Sequence, residues 1–168
     1  MKLSTTTLFY GPRPDGSVGP MLESIRRIHK AGFRDLDLNF AWTRRNKTEL
    51  YHDDWKEWIQ KCKEVIDELG MTVSQSHAPF YNVIDPDYPY REVEEEMVRR
   101  SIIASSELGA DIVVIHGGSR PYRPDYRKNK QENMEYFKPH LEFAAKHGVT
   151  LAIENLFDLN DSEKRVRV

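Results

Sequence analysis

At 168 residues, 39% of them apolar and 31% charged, the chain holds enough for one domain with a packed core and too little for two ordinary ones. Its formal net charge of −2 gives no case for nucleic-acid binding through bulk electrostatics. No run approaches the ~20 apolar residues of a membrane span, the first seven residues lack a signal-peptide core, and the single Cys62 allows no internal disulfide, so a cytoplasmic protein is expected.

Residues 3–9 read as a first strand. Beyond a loop over 11–20, Leu22, Ile25 and Ile28 make one apolar helical face, with Ser17 as a cap. Residues 35–40 form the second strand and 41–52 a loop. Trp55, Ile59, Cys62, Ile66 and Leu69 then step by four, three, four and three, the period of a helix with one buried face; Asp53 or Asp54 can cap it. The third strand is 72–76 and the loop after it 79–90. Val93, Met97, Ala104 and Leu108 mark the third helix, with Glu95–Arg99 and Glu96–Arg100 as solvent-side pairs four apart. Residues 112–115 are apolar throughout, as a strand covered on both faces must be. After a loop over 117–129, Met134, Phe137, Leu141 and Ala145 mark the fourth helix, and Pro139 within it predicts a kink or a restart. The fifth strand is 150–153.

Gly32, Gly70, Gly109 and Gly148 each stand between a helical pattern and a strand, at steps of 38, 39 and 39 residues. Glycine suits the left-handed position past a helix end, and the even step predicts repeated strand–helix units with a parallel sheet. Two architectures fit five such strands: a flavodoxin-like open sheet and an incomplete (β/α)8 barrel. No fifth helix follows residue 153, and Tyr10-Gly11-Pro12-Arg13-Pro14 is a poor anion cradle, because its prolines have no N–H to offer. The expectation is therefore an α/β fold: one domain over 1–168, the first five strands and four helices of a TIM barrel, truncated after strand five. Open strand edges would then favour covering by further chain or by a second copy in a homo-oligomer.

In a parallel sheet the chemistry collects at the C-terminal ends of the strands. Asn39 and Trp42, His77, His116 with Gly117 and Gly118, and Glu154 with Asn155 stand there. Two imidazoles and a carboxylate suit Zn2+, Mn2+ or Fe2+, and carboxylates with water suit Mg2+ or Mn2+. On position alone Glu154 serves equally as a helix cap or a partner for Arg or Lys, and His77 as a loop histidine. The glycines after His116 would let a ligand approach the backbone. His29, His52, His140 and His147 are expected at the surface. Tyr122, Arg123, Tyr126 and Arg127 fit either an anion clamp or a solvated loop; Trp42, Phe80 and Tyr81 fit either a wall over a substrate or packing beneath the loops.

Leu151-Ala152-Ile153-Glu154-Asn155-Leu156 resembles the fifth strand of sugar phosphate isomerases and epimerases in the xylose-isomerase-like barrel superfamily. Ile112-Val113-Val114-Ile115-His116-Gly117-Gly118 resembles their fourth strand and Val73-Ser74-Gln75-Ser76-His77-Ala78-Pro79 their third. Ala31-Gly32-Phe33-Arg34-Asp35-Leu36-Asp37-Leu38 resembles the second, with Asp37 in place of the usual glutamate. The resemblance implies a divalent-metal-dependent sugar, sugar-phosphate or hydroxy-ketone isomerase or epimerase working by enediolate proton transfer. It implies that Glu154 binds metal and exchanges the proton, that His77 and His116 are further ligands, and that Asn39, Trp42, His77, His116 and Asn155 line the substrate site. The ion would be Mn2+, Mg2+ or Zn2+; the partner glutamate, an aspartate and a further histidine come from strands six to eight in the family, beyond Val168. The related zinc-dependent apurinic endonucleases place ligands at the same three strand ends, so a phosphodiester hydrolase is the alternative activity, and a non-catalytic fragment the alternative to any.

Overall fold

A computed structural model describes residues 3–10, 20–41, 49–119 and 126–154. Five strands, β1 (Ser4–Thr6), β2 (Asp35–Asn39), β3 (Thr72–His77), β4 (Ile112–His116) and β5 (Thr150–Glu154), alternate with four helices, α1 (Met21–Lys30), α2 (Trp55–Glu68), α3 (Arg91–Glu107) and α4 (Tyr126–Lys146). All neighbouring strands are parallel and lie in the order β1-β2-β3-β4-β5. That order decides between the two architectures: a flavodoxin-like sheet reverses direction after its first strand, whereas a barrel adds each strand beside the last. Successive helices also touch one another, α1 against α2, α2 against α3 and α3 against α4. The chain is an arc of an α/β barrel.

The four glycines sit at φ 96°, 59°, 81° and 72°, where a β-carbon would be strained. At Gly70 the helix end closes with Gly70 N–H donating to Asp67 O at 3.1 Å and Met71 N–H to Ile66 O at 3.0 Å, which returns the chain to the sheet within two residues. Short returns at this end leave the longer loops at the other, where the strands' C-termini lie.

Alternation sorts the strand side chains into two faces. Leu36 and Leu38 meet Ile25, Ile28, Ile59 and Cys62 in one cluster beneath the helices. Val113, Ile115 and Leu151 meet Val98, Ile102, Phe137 and Ala144 in a second. The predicted faces of α1 to α3 match these clusters, with Leu22, Leu69 and Val93 half-buried.

Several expectations need correction. The first strand is shorter than 3–9, because Thr7–Tyr10 turn into a 3-10 helix. The helix α4 runs through Pro139 as one element. Its buried face is Asn129, Phe137, His140 and Ala144, while Met134 and Leu141 are exposed, so the face is rotated from the one predicted. His140, expected at the surface, is buried; its Nδ1–H donates to Tyr136 O at 2.9 Å, and burial lowers its pKa. Asp54 precedes α2 without a side-chain cap bond, and Ser17 lies outside the described residues. Glu96 pairs with Arg100 as expected. Glu95 instead faces Arg91 at 3.5 Å, and Arg99 lies over the Phe143 ring.

Candidate active-site rim

The inward face of the sheet carries the chemistry, and a bulge sets it. Leu36 pairs with Val73, but Asp37 pairs with Gln75, so β3 holds one extra residue there. Val73 packs among the helices, and Ser76 also turns outward, its hydroxyl 2.6 Å from that of Ser105 on α3. Outward positions three apart instead of two leave both Ser74 and Gln75 facing inward, with His77 beyond Ser76. Without the bulge, strict alternation from Val73 would turn His77 toward the helices. On β4 and β5 no shift intervenes, and His116 stands directly beside Glu154.

Three strand-end side chains lie close together here. His116 Nε2 lies 3.0 Å from Glu154 Oε2, and His77 Nε2 lies 3.9 Å from the same oxygen. The two imidazoles stack at 29° with centroids 6.1 Å apart. The outer flank of this group is Asp37, whose Oδ1 lies 2.9 Å from His77 Nδ1. Gln75 Nε2–H donates to Asp37 Oδ2 at 3.3 Å. Asp37 and Gln75 were not among the predicted site residues; a carboxylate two residues before Asn39 on the same face was the available signal.

The surroundings drive the two histidines apart. The hydrogen bond to Asp37 raises the His77 pKa, against burial and with help from the charges of Asp37 and Glu154. Burial lowers that of His116, against the charge and hydrogen bond of Glu154. Asn39 N–H donates to the Thr7 hydroxyl at 2.8 Å, and Asn39 Oδ1 accepts from Ala41 N–H at 3.0 Å, so this side chain shapes the turn out of β2. Trp42, Asn155, Tyr122 and Arg123 lie outside the described residues, as does the side chain of Tyr126.

Behind the rim two asparagines bind the loops together. Asn133 on α4 accepts from Gly118 N–H at 2.8 Å and donates to Gly118 O at 2.9 Å. Asn82 donates to Ser119 O at 2.7 Å. A β-carbon on Gly118 would stand 2.5 Å from Asn82 Oδ1 and 2.8 Å from the Ile84 backbone nitrogen. Gly118 is thus glycine because two loops pack through it, a different reason from ligand approach. Phe80 is 44% exposed and sets its ring edge-on to His116 at 5.0 Å. Tyr81 is buried, its hydroxyl 2.7 Å from that of Tyr136, which is packing beneath a loop.

Two imidazole nitrogens and a carboxylate are donors of the right type for a borderline divalent ion. His116 Nδ1 is buried with no hydrogen-bond partner, which fits a ring held by its other nitrogen. Among the described residues no group of three or more His, Cys, Asp or Glu is spaced to hold an ion. No helix among the described residues is long and apolar enough to cross a membrane.

Solved structures share this architecture. A D-tagatose 3-epimerase-like protein superposes with TM-score 0.70 at 20% identity, over 95% of this chain and 54% of its own. A 3-keto-D-glucoside 4-epimerase from E. coli does so with TM-score 0.65 at 18% identity, over 100% of this chain and 58% of its own. A xylose isomerase-like TIM barrel protein from Mycobacterium smegmatis, in complex with magnesium, gives 0.61 at 18% identity, over 90% and 54%. The chain spans about half the length of these structures. No curated protein sequence matches. The description "Xylose isomerase-like TIM barrel" matches residues 25–167, and the chain belongs to that family.

Proposed function

We propose that the chain supplies one side of the active site of a divalent-metal-dependent sugar isomerase or epimerase, with Glu154 as the acid/base that exchanges a proton with a substrate carbon. The observation that carries this reading is the placement of Glu154. Its side chain is 52% exposed at the open rim, while one carboxylate oxygen is 3.0 Å from His116 Nε2. A carboxylate with one oxygen beside the His116 ring is aimed, and its other oxygen can meet a C–H bond. His77, His116 and Glu154 would hold a divalent ion (Mn2+, Mg2+ or Zn2+), which when bound supplies Lewis-acid polarisation of a substrate oxygen. Asn39, Trp42 and Asn155 stand at or just after strand ends in the sequence and are proposed to contact the sugar, together with the two histidines. Epimerase activity among the structural relatives supports a sugar substrate.

The test uses the product of the complete reading frame, incubated with ketohexoses and Mn2+ in D2O, with deuterium at the carbon beside the carbonyl read by NMR. The expected result is incorporation by the parent protein and its loss in Glu154→Gln, with an unchanged circular dichroism spectrum. Undiminished exchange in Glu154→Gln overturns the role. Cleavage of abasic DNA with no exchange would favour the hydrolase reading of the same three side chains.

A further inference from the structure

We propose that Phe80 is a substrate-binding residue, its ring a fixed platform on which the C–H face of a sugar stacks beside His116. The inference deepens the reading of the rim as a sugar isomerase or epimerase site and rests on it for the identity of the ligand. A benzyl side chain has no polar atom, and one left 44% exposed just past the end of a parallel strand offers apolar surface to whatever enters there. Its backbone is not free to turn that surface away. Ala78 N–H donates to Val114 O at 2.8 Å and Phe80 N–H to Ala41 O at 3.2 Å, which ties the segment after β3 to β4 on one side and to the turn out of β2 on the other. Ala78 and Pro79 are buried, and the buried Tyr81 is anchored by the Tyr136 hydroxyl at 2.7 Å. Between residues 78 and 81 Phe80 alone is exposed. Its ring centroid lies 5.0 Å from that of His116, with the planes at 89°. Perpendicular rings meet at an edge, so His116 leaves at least one face of Phe80 uncovered. The same imidazole stands 3.0 Å from Glu154, so platform and carboxylate flank one ring. A sugar combines hydroxyls with C–H groups, and a site for such a ligand pairs a few polar groups with an apolar wall. The histidines and Glu154 are the polar groups, and Phe80 is the wall. An aromatic face is electronegative, so the part of the ligand over Phe80 is neutral.

Packing against His116 needs only bulk, which leucine supplies, whereas a platform needs a ring, which tyrosine supplies. The product of the complete reading frame is therefore assayed for deuterium exchange into D-fructose over a range of concentrations, beside Phe80→Ala, Phe80→Leu and Phe80→Tyr. The expected result is a KM raised about five- to tenfold in the alanine and leucine variants, with kcat within about twofold of the parent. Phe80→Tyr should stay within about threefold of the parent KM. An unchanged KM in Phe80→Ala, full recovery by leucine, or a fall in kcat at constant KM overturns the platform; the last assigns Phe80 to holding His116. Saturation-transfer difference NMR with D-fructose and Mg2+ reads binding without turnover. Irradiation of the aromatic protons should reach the sugar C–H protons in the parent and in Phe80→Tyr, and far less in Phe80→Leu; undiminished transfer in Phe80→Leu, or none in the parent, overturns the proposal. Transfer that depends on Phe80 without any exchange sinks the epimerase reading and keeps the platform. Exchange in the parent with a KM indifferent to Phe80 does the reverse.

Discussion

Gly118→Ala tests how the loops behind the site are held. The added β-carbon would meet Asn82 Oδ1 at 2.5 Å, Ile84 N at 2.8 Å and Ile84 Cγ1 at 2.9 Å. The asparagine tip can rotate, but a backbone nitrogen cannot withdraw without moving the loop before α3. Overpacking of this kind costs about 1–3 kcal/mol. Displacing Gly118 also strains its two bonds to Asn133, each worth about 1 kcal/mol net. The total is roughly 2–4 kcal/mol, a large part of the ~5–15 kcal/mol that holds a typical domain together. Gly117→Ala is the control, since its new carbon meets only Asn133 side-chain atoms, the nearest at 3.2 Å; about 1 kcal/mol or less is expected. Urea unfolding followed by tryptophan fluorescence gives both values. A cost for Gly118→Ala within ~0.5 kcal/mol of the control would refute the packing account and return Gly118 to the ligand-approach reading.

Further outcomes follow from side chains away from the rim. Arg100 donates through Nη1 to Leu50 O at 3.1 Å and His52 O at 3.0 Å and through Nε to Glu96 at 3.0 Å, and lies over the Trp55 ring. Arg100→Ala should cost about 2–3 kcal/mol in the same urea assay, and a loss under ~0.5 kcal/mol would reduce it to an exposed ion pair. Cys62 is fully buried, and burial, with the nearby charge of Glu49, pushes its thiol up to about 12 from 9.0. Its raised value means that the unfolded chain releases this proton first, so stability is undiminished below pH 9.0 and falls as pH rises from there toward 12. A thiol reagent should label Cys62 in urea and not in native buffer; native labelling faster than unfolding would contradict the burial.

What could be read from the residues alone was set by period. The steps of four and three in α2 pick out Trp55, Ile59, Cys62 and Ile66, and all four are buried. The glycine spacing located the helix ends, because Gly32, Gly70, Gly109 and Gly148 all stand there at positive φ. In α4 hydropathy chose the wrong rotation. Met134 and Leu141 are more apolar than Asn129 and His140, yet the latter two are buried, His140 because its Nδ1–H is satisfied within its own helix. Arg100 was legible as a partner of Glu96 and not as a clamp on two carbonyls of the segment before α2, since those contacts lie 50 and 48 residues away.

The site shows the same division more sharply. Strand-end position was enough to bring His77, His116 and Glu154 to one rim, because each of them closes a parallel strand. Facing was not legible for His77. Strict alternation from buried Val73 would send His77 outward, and only the extra residue that β3 holds opposite the Leu36–Asp37 step of β2 corrects it. A bulge of this kind depends on hydrogen bonding between strands and has no hydropathy signature when the residues at it are Ser74 and Gln75. Polar residues at an inward bulge would be costly in a closed apolar core. Here Ser74 reaches Leu36 O and Gln75 reaches Asp37. The same irregularity that turns His77 inward therefore also supplies the amide that steadies its carboxylate partner, and site geometry and strand register are one structural feature.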